Sequence, residues 1–280
     1  MIVVTGATGN VGQVVVRALA AKGEQVTAVA RRRPAAALPD GVRFYAADLA
    51  EPEMLRAVVE GAEALFLLVA GDDPRGLLDA AKAGGVRRVV LLSSIGAGTR
   101  PEAYGHARSF EDAVRESGLE WTILRAGGFA SNALAWAESI RAERTAGAPF
   151  GDVALPTVDP ADVGEAAAVV LGGGGRSEGA PGNVIQTYKL TGPTLMTPRN
   201  QVREIAQVLG EDVRFVELSR ADARARMLQF MPEAVVDGTL GILGEPTAEE
   251  QQVSGDLERI LGRPANTFAD WAARNAAAFR

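Results

Sequence analysis

The fold is decided close to the start of the chain, by the stretch Thr5-Gly6-Ala7-Thr8-Gly9-Asn10-Val11-Gly12. Apolar residues at 2–4 predict a short buried strand before it, and apolar residues at helical spacing over 11–21 predict a helix after it. The glycines then lie in a strand-to-helix turn, where a pyrophosphate would meet the free N–H groups of the helix N-terminus. The stretch predicts a dinucleotide site made by Gly6, Ala7, Thr8, Gly9, Asn10, Val11 and Gly12, and an ordinary glycine-rich turn is the alternative.

Strand and helix signals alternate through the rest of the first half. Short apolar strands are expected at 25–30, 42–46, 64–69, 88–92 and 121–124, with helices between them at 51–59, 75–83 and 102–117. Strands that are apolar on both faces and separated by helices indicate a parallel sheet covered on both sides. We therefore predict an α/β fold, a Rossmann-type doubly wound parallel sheet with a smaller C-terminal α/β lobe.

The pattern loosens after residue 125. Helices are expected at 133–144, 160–171, 198–209 and 220–230, strands at 184–190 and 213–218, and a surface loop from residue 172. We expect the sheet to be complete before this region, and assign residues 1–150 to an NAD(P)-binding Rossmann domain. Residues 151–280 are expected to form mainly a smaller lobe beside a substrate cleft, with the segment at about 155–175 returning to the Rossmann core.

Composition excludes several classes of function. The 280 residues include no cysteine and one histidine, His106, which rules out disulfides, thiolate catalysis and multi-histidine zinc sites, so no metal is expected. A net charge of −6 argues against nucleic acid as a partner. Apolar runs such as residues 64–70 are too short to span a membrane, and a strand at 2–4 leaves no room for a signal peptide. A cytoplasmic protein without membrane contact is expected.

The residues at the end of the second strand indicate whether NAD or NADP is the cofactor. An acidic residue there accepts a hydrogen bond from the ribose hydroxyl of NAD, whereas this chain has Arg31, Arg32 and Arg33. A guanidinium suits the 2′-phosphate of NADP by charge and by geometry. We predict NADP(H) in preference to NAD(H), with Arg31 and Arg32 as the candidate contacts. A solvated basic turn is the alternative.

Further candidate contacts follow the next strands. Asp48 and Leu49 come after the third strand and are expected to border the adenine, although Asp48 could equally cap the following turn. Val69 and Ala70 end the fourth strand, where small residues let the backbone pass the ribose. Ser93 ends the fifth strand and is a candidate for both cofactor binding and catalysis.

Four segments carry a family resemblance: TGATGNVG at 5–12, LLSSIGA at 91–97, SGLEWTILRAGGFASNAL at 117–134 and VDPADVGEAAAVVL at 158–171. They resemble the NmrA-like atypical short-chain dehydrogenases/reductases, in particular the NAD(P)H-dependent quinone-reductase-like members. The resemblance implies that Gly128 and Phe129 lie beside the nicotinamide, with Asn132 and Trp136 in a substrate cleft. Core packing is the alternative for the two aromatic side chains.

Short-chain dehydrogenases usually combine a serine with a Tyr-x-x-x-Lys pair. Here the serine is Ser93 or its neighbour Ser94 at the end of the fifth strand. Tyr104 with Arg108 offers Tyr-x-x-x-Arg, in which the cation could lower the tyrosine pKa. His106 lies in the same segment and could donate a proton to a reduced oxygen. The alternatives are a Tyr104 without a catalytic role and an ordinary surface histidine.

Three functions remain to be separated. The first is an NADPH-dependent reductase of a quinone, enone or ketone with an apolar body. Candidates for lining its cleft are Trp136, Phe150, Met227, Phe230 and Met231, and packing in the core of the lobe is the alternative for all five. The second is a non-catalytic NADP(H)-binding redox sensor of the NmrA type. The third, a sugar-nucleotide epimerase or dehydratase, is disfavoured by the missing Tyr-x-x-x-Lys. The expected partner is a small apolar substrate, and the sequence is compatible with a homodimer.

Overall fold

The computed structural model describes residues 1–34, 36–172 and 185–280. The strands are β1 (Ile2–Thr5), β2 (Val26–Ala30), β3 (Arg43–Ala46), β4 (Ala64–Leu68), β5 (Arg88–Ser94), β6 (Glu120–Ala126), β7 (Thr145–Ala148), β8 (Ile185–Leu190) and β9 (Arg214–Glu217). Seven of them form one parallel sheet in the order β3-β2-β1-β4-β5-β6-β8, while β7 pairs with β9. The predicted Rossmann-type sheet is confirmed.

Helices follow the strands as the alternating pattern predicts. They are α1 (Gly12–Ala21), α2 (Pro52–Val59), α3 (Pro74–Ala83), α4 (Gly96–Thr99), α5 (Gly105–Glu116), α6 (Ala137–Glu143), α7 (Pro160–Leu171), α8 (Pro198–Leu209), α9 (Arg220–Met227), α10 (Glu233–Gly244), α11 (Asp256–Leu261) and α12 (Phe268–Arg274). The helix expected at 133–144 is divided, since a 3-10 helix over Ala130–Trp136 precedes α6. Within the described residues, no helix has both the length and the apolar character that crossing a bilayer requires.

Alternate residues of each central strand supply two cores, one on each face of the sheet. Val4 and Phe66 belong to the core that α1, α7 and α11 cover. Val3 and Leu65, one residue earlier in their strands, belong to the core beneath α2, α3 and α5. Because successive side chains in a strand point to opposite faces, this division makes the sheet doubly wound and buries both of its sides.

Two expectations about strands are wrong. The sheet is not complete before residue 126, because β8 pairs with β6 and adds a seventh strand. Its sequence, IQTYKL, mixes polar and apolar residues and comes long after β6, so no local pattern shows which sheet it joins. The second error concerns β3, which is the exposed edge strand rather than a strand buried on both faces.

The rest of the C-terminal half builds a smaller lobe with its own packing. Residues of the 3-10 helix, α6, α8 and α12 form one core, in which Ile140, Ile205 and Trp271 are buried. Val236 and Leu240 of α10 form another with Ala223 of α9. The sequence analysis gave no indication of β7, α10, α11 or α12. The surface loop expected from residue 172 lies, beyond that residue, outside the described part of the chain.

The end of the chain is fastened to the start of α7. Asp159 caps this helix by accepting a hydrogen bond from the Ala161 amide at 3.0 Å. Asp162, fully buried, accepts from the backbone amide of Asn266 at 2.6 Å and from its side-chain amide at 2.8 Å. Arg263 donates to the same carboxylate at 2.8 Å. The C-terminal segment is therefore held to the Rossmann core through buried acidic groups.

Candidate cofactor and active site

The glycine turn lies where β1 and β4 end. The Thr5 hydroxyl donates to the Phe66 carbonyl at 2.9 Å and accepts from the Leu68 amide at 3.1 Å, which fixes the two strands against each other. Gly6 then takes a φ of +60°, a conformation that favours glycine, and the Gly9 amide donates to its carbonyl at 2.9 Å. The chain reverses here and enters α1.

The turn is shaped as a cradle. A Cβ atom on Gly12 would lie 2.1 Å from the Gly6 carbonyl oxygen, so only glycine lets α1 approach this closely. A Cβ atom on Gly9 would meet only that same oxygen, at 3.3 Å, and would otherwise project into open space. No backbone hydrogen bond within the described residues takes up the amides of Thr8, Asn10 or Val11. Free amides around an open concavity at a helix N-terminus fit a pyrophosphate.

The cradle is joined to the loop that follows β6. The Asn10 side-chain amide donates to the Ser131 hydroxyl at 3.1 Å. Gly128 in this loop is exposed, with no atom within 4 Å of an added Cβ, while Phe129 is half-buried and packs against the sheet core. The structure therefore brings the candidate residues of segments 5–12 and 128–132 together at the carboxyl edge of the sheet, where open α/β sheets bind ligands.

The three arginines after β2 differ in their surroundings. All are exposed, and the guanidinium of Arg33 lies 5.4 Å from the centre of the Phe44 ring. Arg31 and Arg32 form no ion pair within the described residues. Their guanidinium groups thus carry free charge beside the end of β2.

The loops after β3 and β4 touch each other. A Cβ atom on Gly71, whose φ is +81°, would lie 2.3 Å from the Leu49 carbonyl oxygen. Leu49 is buried, and Val69 and Ala70 are half-buried beside this contact. The Asp48 carboxylate accepts from the Ala50 amide at 3.1 Å, so the proposed turn cap is present. The contact of Asp48 and Leu49 with the adenine stays a prediction.

A buried ion network lies beneath the ends of β5 and β6. The Ser93 hydroxyl donates to Glu111 at 2.7 Å. The same carboxylate, which is fully buried, accepts from Arg125 at 2.6 and 2.9 Å and from Arg115 at 2.9 Å. Burial by itself would raise the pKa of Glu111, but the hydrogen bonds from Arg125, Ser93 and Arg115 outweigh it and hold the pKa below its usual value. The group is therefore an anion.

The sequence analysis missed Glu111 and Arg125. A signal for Glu111 exists, because it shares the buried face of α5 with Phe110 and Val114, where an apolar residue is the rule. The network also bears on Ser93, whose hydrogen is donated to a carboxylate in this arrangement. Its catalytic role stays a prediction.

Tyr104 lies just before α5, over the end of β5. Its ring packs on Gly96, where an added Cβ would be 2.5 Å from the ring, and its hydroxyl hydrogen-bonds to the Thr239 hydroxyl at 2.9 Å. Burial raises the pKa of Tyr104. The expected lowering by Arg108 is wrong, because that guanidinium pairs with Asp112 at 3.1 Å on the exposed side of α5. The cation whose charge acts on Tyr104 is Arg100.

The remaining candidates lie at the periphery. His106 is exposed, and its ring meets that of Phe110 edge-on at 5.2 Å. Asn132 is also exposed. The Trp136 indole donates to the Gly147 carbonyl at 3.0 Å and packs against the lobe core, as its alternative interpretation requires. In the described part of the chain, no group of three or more acidic or histidine side chains is arranged to hold a metal ion.

Similarity to known proteins agrees with this architecture. A family described as NAD(P)H-binding matches residues 6–172, and the chain belongs to this family. The chain is 35% identical, over 100% of its length and 99% of the relative's, to (4-alkanoyl-5-oxo-2,5-dihydrofuran-3-yl)methyl phosphate reductase of Streptomyces griseus. It is 30% identical, over the same shares, to NAD(P)H azoreductase of Xenophilus azovorans.

Solved structures give the same result. NADPH-dependent quinone oxidoreductase QOR2 of Escherichia coli, complexed with NADPH, has a TM-score of 0.77 and 26% identity, with 98% of this chain and 99% of that chain covered. Triphenylmethane reductase of Citrobacter sp. has a TM-score of 0.78 at 22% identity, with 99% and 100% covered, and shares the fold. The resemblance to NmrA-like atypical short-chain dehydrogenases/reductases is confirmed, as is an NAD(P)H-dependent reductase; the sensor alternative is not favoured.

Proposed function

We propose that this protein transfers a hydride from NADPH to a conjugated carbonyl acceptor, a quinone or an enone, that carries an apolar body. A simple ketone, which lacks the conjugated double bond, is a less activated acceptor. The observation that carries the proposal is the glycine cradle joined through Asn10 and Ser131 to the loop after β6. That contact supports the proposal, because it links the proposed phosphate-binding turn to the segment that the family resemblance assigns to the nicotinamide.

The substrate class is supported by two full-length relatives. The name of the Streptomyces griseus relative describes an oxo-dihydrofuran that bears an alkanoyl group. In such a compound, the carbon–carbon double bond of the ring is conjugated to the carbonyl groups. The relative from Escherichia coli, 27% identical over 96% of both chains, is named quinone oxidoreductase 2. Both substrates accept a hydride at an electron-poor carbon and leave the negative charge on an oxygen. This shared chemistry is what we assign to the present chain.

The preference for NADPH over NADH is proposed on the charge beside β2. The free guanidinium groups of Arg31 and Arg32 suit a 2′-phosphate, and a charge-assisted fork to it is stronger than a neutral hydrogen bond. The amides of Thr8, Asn10 and Val11 would hold the pyrophosphate. When bound, the cofactor supplies the hydride, and the chain supplies its binding and orientation.

We propose that α10 forms one wall of the substrate cleft. Gly238, in the middle of this helix, lies close to the Tyr104 ring, and Gly244, at its C-terminal end, lies close to the ring of Phe150. Phe150 packs with Met227 and Met231 against the buried residues of α9 and α10. An apolar substrate body would lie along these side chains, with its oxygen near the Tyr104 hydroxyl.

No single side chain is proposed as indispensable for proton delivery. The Ser93 hydrogen is donated to Glu111, His106 is exposed, and Arg108 has no proton to give near neutral pH. A reduced quinone or an enolate takes a proton from water, so positioning of the acceptor contributes more than acid catalysis. Tyr104→Phe should therefore cost less than the roughly 10²–10⁴-fold loss that removal of a general acid causes.

The experiment offers a panel of acceptors to the protein and measures NADPH oxidation by the loss of the absorbance of reduced nicotinamide. Benzoquinones, naphthoquinones, cyclic enones and an alkanoyl butenolide should oxidise NADPH, whereas matched saturated ketones should react more slowly. NADPH that binds without being oxidised by any acceptor would contradict the proposal and favour a sensor. The cytoplasmic location and the homodimer stay predictions, and light scattering on the purified protein tests the second.

A further inference from the structure

Helix α10 lies unusually close to the segment that carries Tyr104. A Cβ atom on Gly238 would be 2.5 Å from that of Ala103 and 3.2 Å from the Tyr104 ring. At the end of the helix, a Cβ atom on Gly244 would be 2.7 Å from the Phe150 ring. Glycine thus allows the helix backbone to reach Tyr104, which a larger residue would keep at a distance.

The residue after Gly238 uses this approach. The Thr239 hydroxyl lies 2.9 Å from the Tyr104 hydroxyl and hydrogen-bonds to it. Burial raises the pKa of Tyr104, so the phenol keeps its hydrogen at neutral pH and has both a donor and an acceptor to offer. Since the ring is also packed on Gly96, just past the end of β5, the hydroxyl is fixed at the carboxyl edge of the sheet.

The position of α10 is itself fixed by Arg100. Its guanidinium donates to the Glu245 carbonyl, at the end of α10, at 2.9 Å. It also donates to both oxygens of the buried Glu250, at 2.8 and 3.0 Å. The bidentate pair fixes the guanidinium against the segment that follows α10. The bond from the same guanidinium to the Glu245 carbonyl then holds the end of α10 beside α4. Thr239 therefore meets Tyr104 from an anchored helix.

We propose that Thr239 is a positioning residue for the reduction: its hydroxyl orients the Tyr104 hydroxyl toward the oxygen of the substrate that gains negative charge. This inference rests on the proposed reductase function and on Tyr104 lining the cleft. Thr239 acts through Tyr104 and is itself in contact with neither substrate nor cofactor. Loss of one such neutral hydrogen bond should lower kcat/KM by about 3- to 10-fold.

The test is a double-mutant cycle on kcat/KM with the best quinone or enone of the panel. Thr239→Val and Tyr104→Phe should each lower kcat/KM by about 3- to 10-fold. The double variant should have a kcat/KM no lower than that of the slower of the two single variants. Thr239→Ser, which keeps the hydroxyl, should restore most of the rate. The dissociation constant of NADPH, measured by fluorescence, should be the same in all variants.

A matched control is Thr122→Val. Thr122 lies on β6, and its hydroxyl is buried with no hydrogen-bond partner in the described part of the chain, so its removal should leave kcat/KM unchanged. Additive losses in the cycle, or a Thr239→Val variant as fast as the wild type, would overturn the inference. A wild type that reduces no acceptor would overturn the proposed function, and this inference with it. If Thr239→Val does not fold, Thr239→Ala replaces it in the cycle.

Discussion

The hydroxyl of Ser93 donates to the buried carboxylate of Glu111 across 2.7 Å. Ser93 is the penultimate residue of β5, Glu111 lies on α5, and Arg125 near the end of β6 binds the same carboxylate. One anion thus ties together the two strand ends and the helix that border the candidate site. The floor of the site is held by a charged network rather than by apolar packing.

Glu111→Gln should therefore be strongly destabilising. The substitution keeps the shape but leaves the guanidinium groups of Arg125 and Arg115 without their buried counterion, which costs about 3–5 kcal/mol of the free energy of unfolding. Urea titration measures the change. The matched control is Asp112→Asn on the next residue, whose exposed pairs with Arg108 and Arg115 should contribute less than about 1 kcal/mol. Equal losses in the two variants would contradict a structural role for Glu111.

Two glycines of the cradle should respond differently to alanine. Gly9→Ala adds a methyl group that faces open space, so the protein should fold normally and lose NADPH affinity by about tenfold or more. Gly12→Ala drives a methyl group into the Gly6 carbonyl and should also lower the free energy of unfolding by about 1–3 kcal/mol. Calorimetric titration and thermal unfolding separate the two effects. Unchanged NADPH binding in Gly9→Ala would show that the cradle does not hold the phosphates.

Arg31 should decide between the two cofactors. A charge-assisted contact with the 2′-phosphate is worth about 1.5–3 kcal/mol, so NADPH should bind about tenfold to a hundredfold more tightly than NADH. Arg31→Ala should remove this preference while leaving NADH affinity unchanged. Arg33→Ala is the control, since that guanidinium stacks on Phe44 and should contribute little. Equal affinities for the two cofactors in the wild type would reject the assignment.

The pair of Arg100 and Glu250 should make stability depend on acidity. Burial alone would raise the pKa of Glu250, but hydrogen bonds from Arg100 and from the Thr247 amide lower it from 4.5 to about 2. Because the folded state binds this proton more weakly than the unfolded state, the stabilisation is complete above pH 4.5 and is lost as the pH falls toward 2.

Urea titrations at about pH 7 and about pH 3 should measure this loss. Glu250→Gln should be less stable at the higher pH and show a flatter dependence on pH. Glu249→Gln, a change at the exposed neighbour, should keep the dependence of the wild type. A Glu250→Gln variant with an unchanged pH dependence would contradict the role of this carboxylate.

The parts of the structure that follow from local signals were open to prediction. The glycine turn lies between an apolar strand and an amphipathic helix, and α7 and α8 begin at prolines preceded by the capping residues Asp159 and Thr197. Contacts between distant positions leave no such trace. No residue close to Tyr104 in the sequence indicates that Thr239, in the distant helix α10, will form a hydrogen bond with its hydroxyl.

Helix α10 shows how packing overrides a local signal. Its glycines at 238, 241 and 244 are poor helix formers, and a reading of propensity alone disfavours a helix there. In the fold, Gly238 and Gly244 allow contact with Tyr104 and Phe150 that side chains would block. The tertiary contacts therefore stabilise a helix that the local sequence alone does not favour.

The hydrogen bonds that Asn266 makes with Asp159 and Asp162 bear on directed recombination of this enzyme with its relatives. A crossover anywhere between Asp162 and Arg263 lets the aspartates and their partners come from different parents. Wherever the parents differ at these positions, the progeny will contain buried carboxylates that lack one or more of their hydrogen-bond donors. A library that exchanges cleft segments should therefore inherit Asp159, Asp162, Arg263 and Asn266 as one linked block, although a hundred residues of sequence separate them.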